Sequence, residues 1–312
     1  MKKLFFIVNI KAGNGRCIKL WNKLKDELDN QNVNYRSFFT KYPKHAQEIS
    51  KQIATMFDEK IDAIIAVGGD GTIHEVVNGL VEFPSIKIGY IPAGSGNDFS
   101  RGFSIPKSPQ VALSFILKNK HKNGVLHDIG KFKVSGLSKP HYFVSSLGAG
   151  FDAAVAKLTN ESKMKKYLNK VRLGSLAYVG AVVRTLFTYE RSEITVSIDG
   201  KTSTYQNVWF ITISNQKYYG GGMKIAPTAS TKDGQFDVTI VHNLSRFKLL
   251  LVFGSVFFGK HTKFKEVIQE KGTNILIDSK QKMLVHADGE LIGKVPLKVS
   301  AEHKKMSFLV KK

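Results

Sequence analysis

Four short stretches of this chain carry residues whose type and spacing suit phosphate chemistry. The first reads Gly68-Gly69-Asp70-Gly71-Thr72. Glycine lets a backbone approach a phosphate because no Cβ intervenes. A helix beginning there would offer unpaired N–H groups and the positive end of its dipole to an anion. Asp70 adds a carboxylate that can hold Mg²⁺ against phosphates or orient a nucleophile. The second stretch, Pro92-Ala93-Gly94-Ser95-Gly96-Asn97-Asp98, groups a hydroxyl, an amide and a carboxylate on another glycine turn. The third, Asn9-Ile10-Lys11-Ala12-Gly13-Asn14-Gly15-Arg16, offers backbone N–H groups with two cations, Lys11 and Arg16. The fourth, Asp288-Gly289-Glu290, places two carboxylates on one turn. A carboxylate beside a bound hydroxyl can accept its proton during phosphoryl transfer. Each stretch alone also reads as an ordinary turn, since Asp-Gly is a hairpin signal and Asn97 or Asp98 suits a helix N-cap. Position relative to the strands favours function.

Each turn needs elements to hold it. Residues 63–67 form an apolar run bounded by glycine, the pattern of a buried parallel strand. Ile73, Val76, Val77 and Leu80 follow at helical spacing. Thr72 is expected to start that helix, with Glu75 completing a capping box. Residues 5–8 and 86–91 predict strands that run into the other two glycine turns. Ile18, Trp21, Leu24 and Leu28 mark a helix, residues 33–40 a strand ending at Thr40, and residues 45–58 and 111–117 further helices. This alternation predicts an α/β, doubly wound domain with a parallel sheet. Ligands of such sheets sit at the carboxyl ends of the strands. Asn9, Thr40 and residues 68–72 all fall at that edge.

The pattern shifts near residue 127. Residues 128–134, 141–146, 194–198, 208–214, 235–241, 274–277, 283–287 and 297–300 read as short strands, the signature of a β-rich, antiparallel second domain. The expected division is 1–127 and 128–294, with 295–312 free to return to either part. A lysine- and arginine-rich helical stretch, residues 152–187, interrupts the strands; it suits an anionic membrane surface or a solvated face equally. Residues 217–224 and 226–237 form two further loops with glycine and polar side chains.

The formal net charge is +22, from 47 basic and 25 acidic residues in 312, which points to a polyanionic partner: nucleic acid, a phosphate-bearing substrate or an anionic lipid surface. The single cysteine, Cys17, excludes a disulfide framework and a cysteine-rich zinc site and fits a reducing compartment. There is no Walker-type glycine-lysine motif. His74 and His286 stand isolated and read as structural or accessory. The apolar run of residues 4–8 stops at Asn9, too short for a signal-peptide core, so it reads as the first buried strand. The longest apolar segments, 173–183 and 249–258, are flanked by basic residues and fall short of the roughly 18 needed to span a bilayer. Both read as core or interfacial.

Taken in order, the GGDGTIHEVVNGL, PAGSGNDFSR, Asp233-Gly234-Gln235-Phe236-Asp237 and Asp288-Gly289-Glu290 segments resemble the bacterial diacylglycerol kinase catalytic family, soluble lipid kinases related to sphingosine and ceramide kinases. GGDGT alone is shared with NAD kinases and phosphofructokinases; the ordered set is more specific and spans essentially the whole chain. The resemblance implies a nucleotide-binding α/β domain, a β-rich lipid domain, ATP between them, and magnesium. Asn9, Lys11, Gly13, Thr40, Gly68, Gly69, Asp70, Gly71, Thr72, Ser95 and Asn97 would line the ATP site. Glu290 would accept the proton of the lipid hydroxyl, with Asp70 and Asp98 organising magnesium and phosphates; Asp70 stays open as the base. A structural magnesium would use the Asp233 carboxylate with the carbonyls of Ser230 and Gln235, all-oxygen ligation that suits this ion. Two departures are Ile10, where proline is common, and Ser95, where threonine is common.

The expectation is therefore ATP-dependent phosphorylation of diacylglycerol to phosphatidic acid. The enzyme would be cytoplasmic and peripherally held at the inner, anionic face of the membrane, with no nucleic-acid partner. Other acceptors (a sphingoid base, another lipid alcohol, or NAD) and a non-catalytic basic lipid- or nucleic-acid-binding module remain alternatives, and pairing with a second copy stays open.

Overall fold

The structure, a computed structural model, describes residues 2–135, 139–161 and 174–311. Much of the basic part of the expected 152–187 helix, including Lys163, Lys165, Lys166, Lys170 and Arg172, lies outside the described residues.

Strands β1 (Lys3–Val8), β2 (Tyr35–Phe39), β3 (Ile61–Gly68) and β4 (Lys87–Pro92) run parallel in the order β2-β1-β3-β4. Every residue of β3 is buried, as a central strand covered on both faces requires. Helices α2 (His45–Phe57) and α3 (Asp70–Leu80) pack together, as α1 (Arg16–Asn30) does beside α5 (Pro109–Asn119). Register sets Val8 beside Phe39 and Val67, and Gly68 beside Pro92, so the carboxyl ends are level. The strand order reverses between β1 and β3, and the crevice at such a switch point is where these sheets take ligands.

Two local expectations change. Helix α1 buries Cys17, Trp21, Leu24 and Leu28 and leaves Ile18 exposed, so the apolar stripe begins one residue earlier than predicted. Helix α3 starts at Asp70 with Gly69 as N-cap and no side-chain cap. No Thr72–Glu75 capping box forms: the Thr72 hydroxyl accepts from Asn9 Nδ2 at 3.0 Å. Glu75 instead accepts from the Lys44 and Ala46 amides at 2.9 and 3.0 Å, serving the start of α2.

The second part is antiparallel and β-rich. It comprises β5 (Val125–Val134), β6 (His141–Phe143), β7 (Ser146–Gly150), β8 (Ser192–Ile198), β9 (Lys201–Ser214), β10 (Phe236–His242), β11 (Val267–Gly272), β12 (Asn274–Asp278), β13 (Leu284–Ala287), β14 (Glu290–Lys294) and β15 (Leu297–Phe308). Two of these, β11 and β14, lie outside the predicted strands, and the segment predicted over 141–146 divides into β6 and the start of β7. The long β15 pairs β12 at its start and β5 along its length, from Leu297 to Phe308, and lies parallel to β4 through Ser307 and Phe308. One sheet therefore runs from β2 to β14.

Three apolar cores result, in the α/β lobe, in the strands of the second lobe, and around Trp209 beneath α6 (Phe151–Glu161), α7 (Gly174–Thr188) and α8 (Arg246–Val256). Among the described residues no helix is long and apolar enough to cross a membrane.

Candidate functional site

The site is built where three glycine turns converge. Asn9 follows β1, and its carboxamide bridges the switch point by donating to Thr72 while accepting from the Lys11 amide at 3.1 Å. Gly13 has φ +58°, and a Cβ there would lie 2.6 Å from the Ala93 carbonyl oxygen. Gly69 and Gly94 meet so closely that a Cβ on Gly94 would stand 2.5 Å from the Gly69 Cα. Only glycine permits that approach, and it brings the turns after β1, β3 and β4 onto one patch. Gly68 closes β3, its carbonyl 3.0 Å from the Tyr90 hydroxyl.

Two cavities open on this patch. A cleft of about 430 Å³ is lined by Asn9, Lys11, Gly13, Thr40, Gly69, Gly71, Thr72, Gly94 and Glu290, with Tyr42 and Glu75. That size falls within the roughly 300–1,000 Å³ of small-molecule sites. An acidic cavity of about 250 Å³ beside it is lined by Asp70, Asp98, Asp152, His286, Asp288 and Tyr219, together with Gly96, Gly220, Gly221 and Gly289. The structure thus brings most of the predicted nucleotide residues into the first cavity, and Asp70 with Asp98 into the second. Ser95 stands exposed on its turn. Asn97 turns inward, its amide folding the loop through Gly94 N and O at 3.0 Å each.

Asp70 is fixed by backbone, and Asp98 by backbone and the Arg101 guanidinium. Asp70 Oδ1 accepts from Phe99 N at 2.9 Å, at the start of the short helix α4 (Asp98–Gly102). Asp98 accepts from Arg101 at 2.7 Å and from Gly221 N at 2.6 Å, tying the glycine loop of the second lobe to the first. Burial, with repulsion from Asp98 and Asp288, raises the Asp70 pKa above the ordinary carboxylate value. A cation brought there would relieve that strain.

Sequence reasoning missed two histidine–carboxylate pairs, so His74 and His286 are not isolated. His74 Nδ1 lies 2.7 Å from Asp288 Oδ2, joining α3 to the β13–β14 turn of the second lobe. Asp288, at φ +48°, also accepts from the Val144, Ser145 and Ser146 amides at 2.8–3.0 Å. Burial by itself would raise the Asp288 pKa, but His74 and these amides outweigh it and hold the pKa below its usual value. Burial likewise opposes charge on His74, and Asp288 overcomes it, raising the imidazole pKa. His286 Nε2 lies 3.0 Å from Asp152 Oδ2. The partners are separated by 214 and 134 positions in sequence, so no local pattern marks them.

With Asp288 anchored inward, Glu290 emerges in the first cavity. Its Oε1 lies 3.6 Å from where a Cβ on Gly71 would stand. Among the described residues no protein group hydrogen-bonds its carboxylate, leaving it available as an acceptor.

The loop of Ser230, Asp233 and Gln235 lines neither cavity. Asp233 accepts from the Gln235 amide at 3.2 Å and pairs with Lys271 at 3.1 Å. The buried Asp128 holds the same loop through Gly234 N at 2.7 Å. No group of three or more His, Cys, Asp or Glu with metal-holding geometry occurs among the described residues. Magnesium commonly takes one or two carboxylates together with phosphate oxygens and water, which Asp70 and Asp98 could supply in part. At Asp233 an ammonium already balances the charge, so a metal would compete with Lys271.

Residues 3–128 match the diacylglycerol kinase catalytic domain, and residues 145–310 match the YegS C-terminal NAD kinase beta sandwich-like domain. A Bacillus subtilis (strain 168) protein named "Putative lipid kinase YtlR" is 36% identical over 302 residues, covering 96% of this chain and 97% of that one. A diacylglycerol kinase of the same organism is 33% identical, covering 76% of this chain and 74% of its own. The crystal structure titled a putative diacylglycerol kinase from Bacillus anthracis str. Sterne superposes with TM-score 0.79 over 99% of this chain and 95% of its own, at 23% identity, a likeness of fold. The chain belongs to the diacylglycerol kinase catalytic-domain family, within the lipid kinases.

Proposed function

We propose that the protein phosphorylates diacylglycerol from ATP, giving phosphatidic acid. The observation that carries this reading is the position of Glu290, without a hydrogen-bond partner among the described residues, facing the start of α3 in a cleft that the Asn9–Gly13 turn also lines. ATP would lie along that cleft with phosphates toward the amides of the glycine turns and Lys11. The lipid oxygen attacks the γ-phosphorus, the bond to the β-phosphate oxygen breaks, and the hydroxyl proton passes to the Glu290 carboxylate as ADP leaves. Asp70 is the alternative base, although its Oδ1 already accepts from Phe99.

Magnesium at the acidic cavity, with Asp70 and Asp98 as its protein carboxylates, would neutralise phosphate charge during transfer. The Asp233 loop, through the Ser230 and Gln235 carbonyls, is a second place for a structural ion. A lipid acceptor is favoured over NAD by the apolar character of a slot of about 40 Å³, lined by Phe151, Val182, Leu186, Phe210, Leu249 and Phe253, which would have to widen to take an acyl chain. It shares the Asp152 and Tyr219 walls of the acidic cavity. The net charge of +22 favours work at an anionic membrane surface.

The test is transfer of labelled phosphate from ATP to diacylglycerol in anionic mixed micelles, with a sphingoid base, other lipid alcohols and NAD as competing acceptors. Transfer to diacylglycerol that Glu290→Gln lowers by about 100-fold or more supports the reading. Transfer to NAD alone, or to none of the panel, sinks it.

A further inference from the structure

Helix α8 is apolar on two opposite faces. Leu249, Val252 and Val256 point into the core, while Phe247, Leu250 and Leu251 point out, spaced i, i+3, i+4 along one side. A helix apolar all round belongs wholly inside a protein or in lipid. Here Phe247 is 75% and Leu251 72% exposed. The turn that follows continues the surface, with Phe258 75% exposed. It is an ordered turn: the amides of Phe258, Gly259 and Lys260 donate to Ser255 or Val256 carbonyls at 3.0–3.2 Å, so both aromatic rings of Phe257 and Phe258 are held outward. Arg246 Nε donates to the Leu186 carbonyl at 3.1 Å, joining α8 to α7, where Phe187 is also exposed. Large apolar patches of this kind mark interaction surfaces.

The charge around the patch selects its occupant. Lys248 is paired with Glu266 at 2.5 Å, while Arg246, Lys260, Lys263 and Lys265 add positive charge around the patch, and no aspartate or glutamate occurs from Asn243 to Lys265. Lys260, Lys263 and Lys265 are exposed. A second copy docking on this face would set these cations against their own kind. A bilayer of anionic phospholipid satisfies both features, taking the apolar side chains below its headgroups and the ammonium groups at their level. At 11 residues the helix is about 16 Å long, against about 30 Å of hydrocarbon, so it lies on a membrane rather than across it.

We propose that the outer face of α8 with the Phe257–Phe258 turn is the surface that docks the protein on anionic bilayers. This deepens the lipid-kinase reading, because the same helix lines the apolar slot next to the acidic cavity on its inner side.

The test is sedimentation with phosphatidylcholine vesicles with and without phosphatidylglycerol, which needs no turnover and so reads docking apart from catalysis. Wild type should sediment with the anionic vesicles. The triple variant Phe247→Ser/Leu251→Ser/Phe258→Ser should lose on the order of 100-fold in affinity, and Lys260→Glu/Lys263→Glu about tenfold or more. Met56→Ser, which removes an exposed apolar side chain on α2, should bind as wild type. In the otherwise native protein, Leu251→Trp fluorescence should shift to the blue and be quenched by brominated lipid. Failure of wild type to sediment, equal binding by the triple variant, or a tryptophan that stays in water would each overturn the proposal. So would self-association abolished by the triple variant while vesicle binding persists.

Discussion

The cleft around Asn9 and Gly71 is walled chiefly by the segments that follow β1, β2 and β3, each contiguous in sequence, with Gly94 and Glu290 completing it. The acidic cavity beside it is assembled from side chains of Asp70, Asp98, Asp152, His286 and Asp288, drawn from both lobes. The first gains its shape from glycines that no other residue can replace at such close approach. The second gains its shape from hydrogen bonds between distant carboxylates, imidazoles and amides. A site of the first kind is sensitive to added bulk, one of the second kind to lost partners and to pH.

The largest effect should come from Asp288→Ala. It strands three backbone amides and His74, and urea unfolding should show a loss of about 3–5 kcal/mol. A loss below about 1 kcal/mol would mean that the Asp288 network does not hold the lobes together. Glu290→Gln should do the reverse, leaving the melting temperature unchanged while phosphate transfer falls about 100-fold or more. Equal damage to stability and rate would erase the distinction between the anchored and the free acid of this turn.

Gly13→Ala tests the cleft around Asn9. The left-handed φ and the Ala93 carbonyl should cost about 2 kcal/mol and weaken ATP binding measured by calorimetry, with no change in the pH dependence of stability. The smallest effect is expected from His74→Gln, about 1.5 kcal/mol where the ion pair is complete. The raised His74 pKa gives stability that is full below the unfolded value of 6.5 and fades as pH rises through the folded value. The lowered Asp288 pKa gives stability that is full above 3.8 and fades as pH falls through its folded value. The gap in melting temperature between wild type and variant should be widest between about pH 4 and 6.5 and narrow above it. A gap independent of pH would show that His74 acts by packing alone.

Legibility in the sequence follows the same division. The strand–turn–helix units and the residues of the cleft around Asn9 could be read because their signals, apolar runs ending in glycine, are local. Glu290 and Asp288 were visible as a turn, but the opposite directions of their side chains were not, since Asp288 finds its partners at His74 and residues 144–146. The expected capping box failed because Asn9 and Lys44, both distant, took up Thr72 and Glu75. Strand β14 was missed because Glu290–Lys294, with glycine, glutamate and lysine among its five residues, lacks a strand's apolar alternation. Helix α8 was legible as apolar, yet which half would face outward depended on the packing of α7 and the Trp209 core.

The run of β15 through both lobes bears on how the protein comes apart. Its first half is a central rung of the second lobe and its last residues close the parallel sheet of the first. Neither lobe keeps a complete edge without it, so calorimetry should show a single cooperative melting transition. Native-state hydrogen exchange should find the β15 amides opening only in global unfolding. A polypeptide growing from its N-terminus also cannot finish its first lobe until β15 has emerged, so that lobe waits for a strand made almost two hundred residues after its own helices.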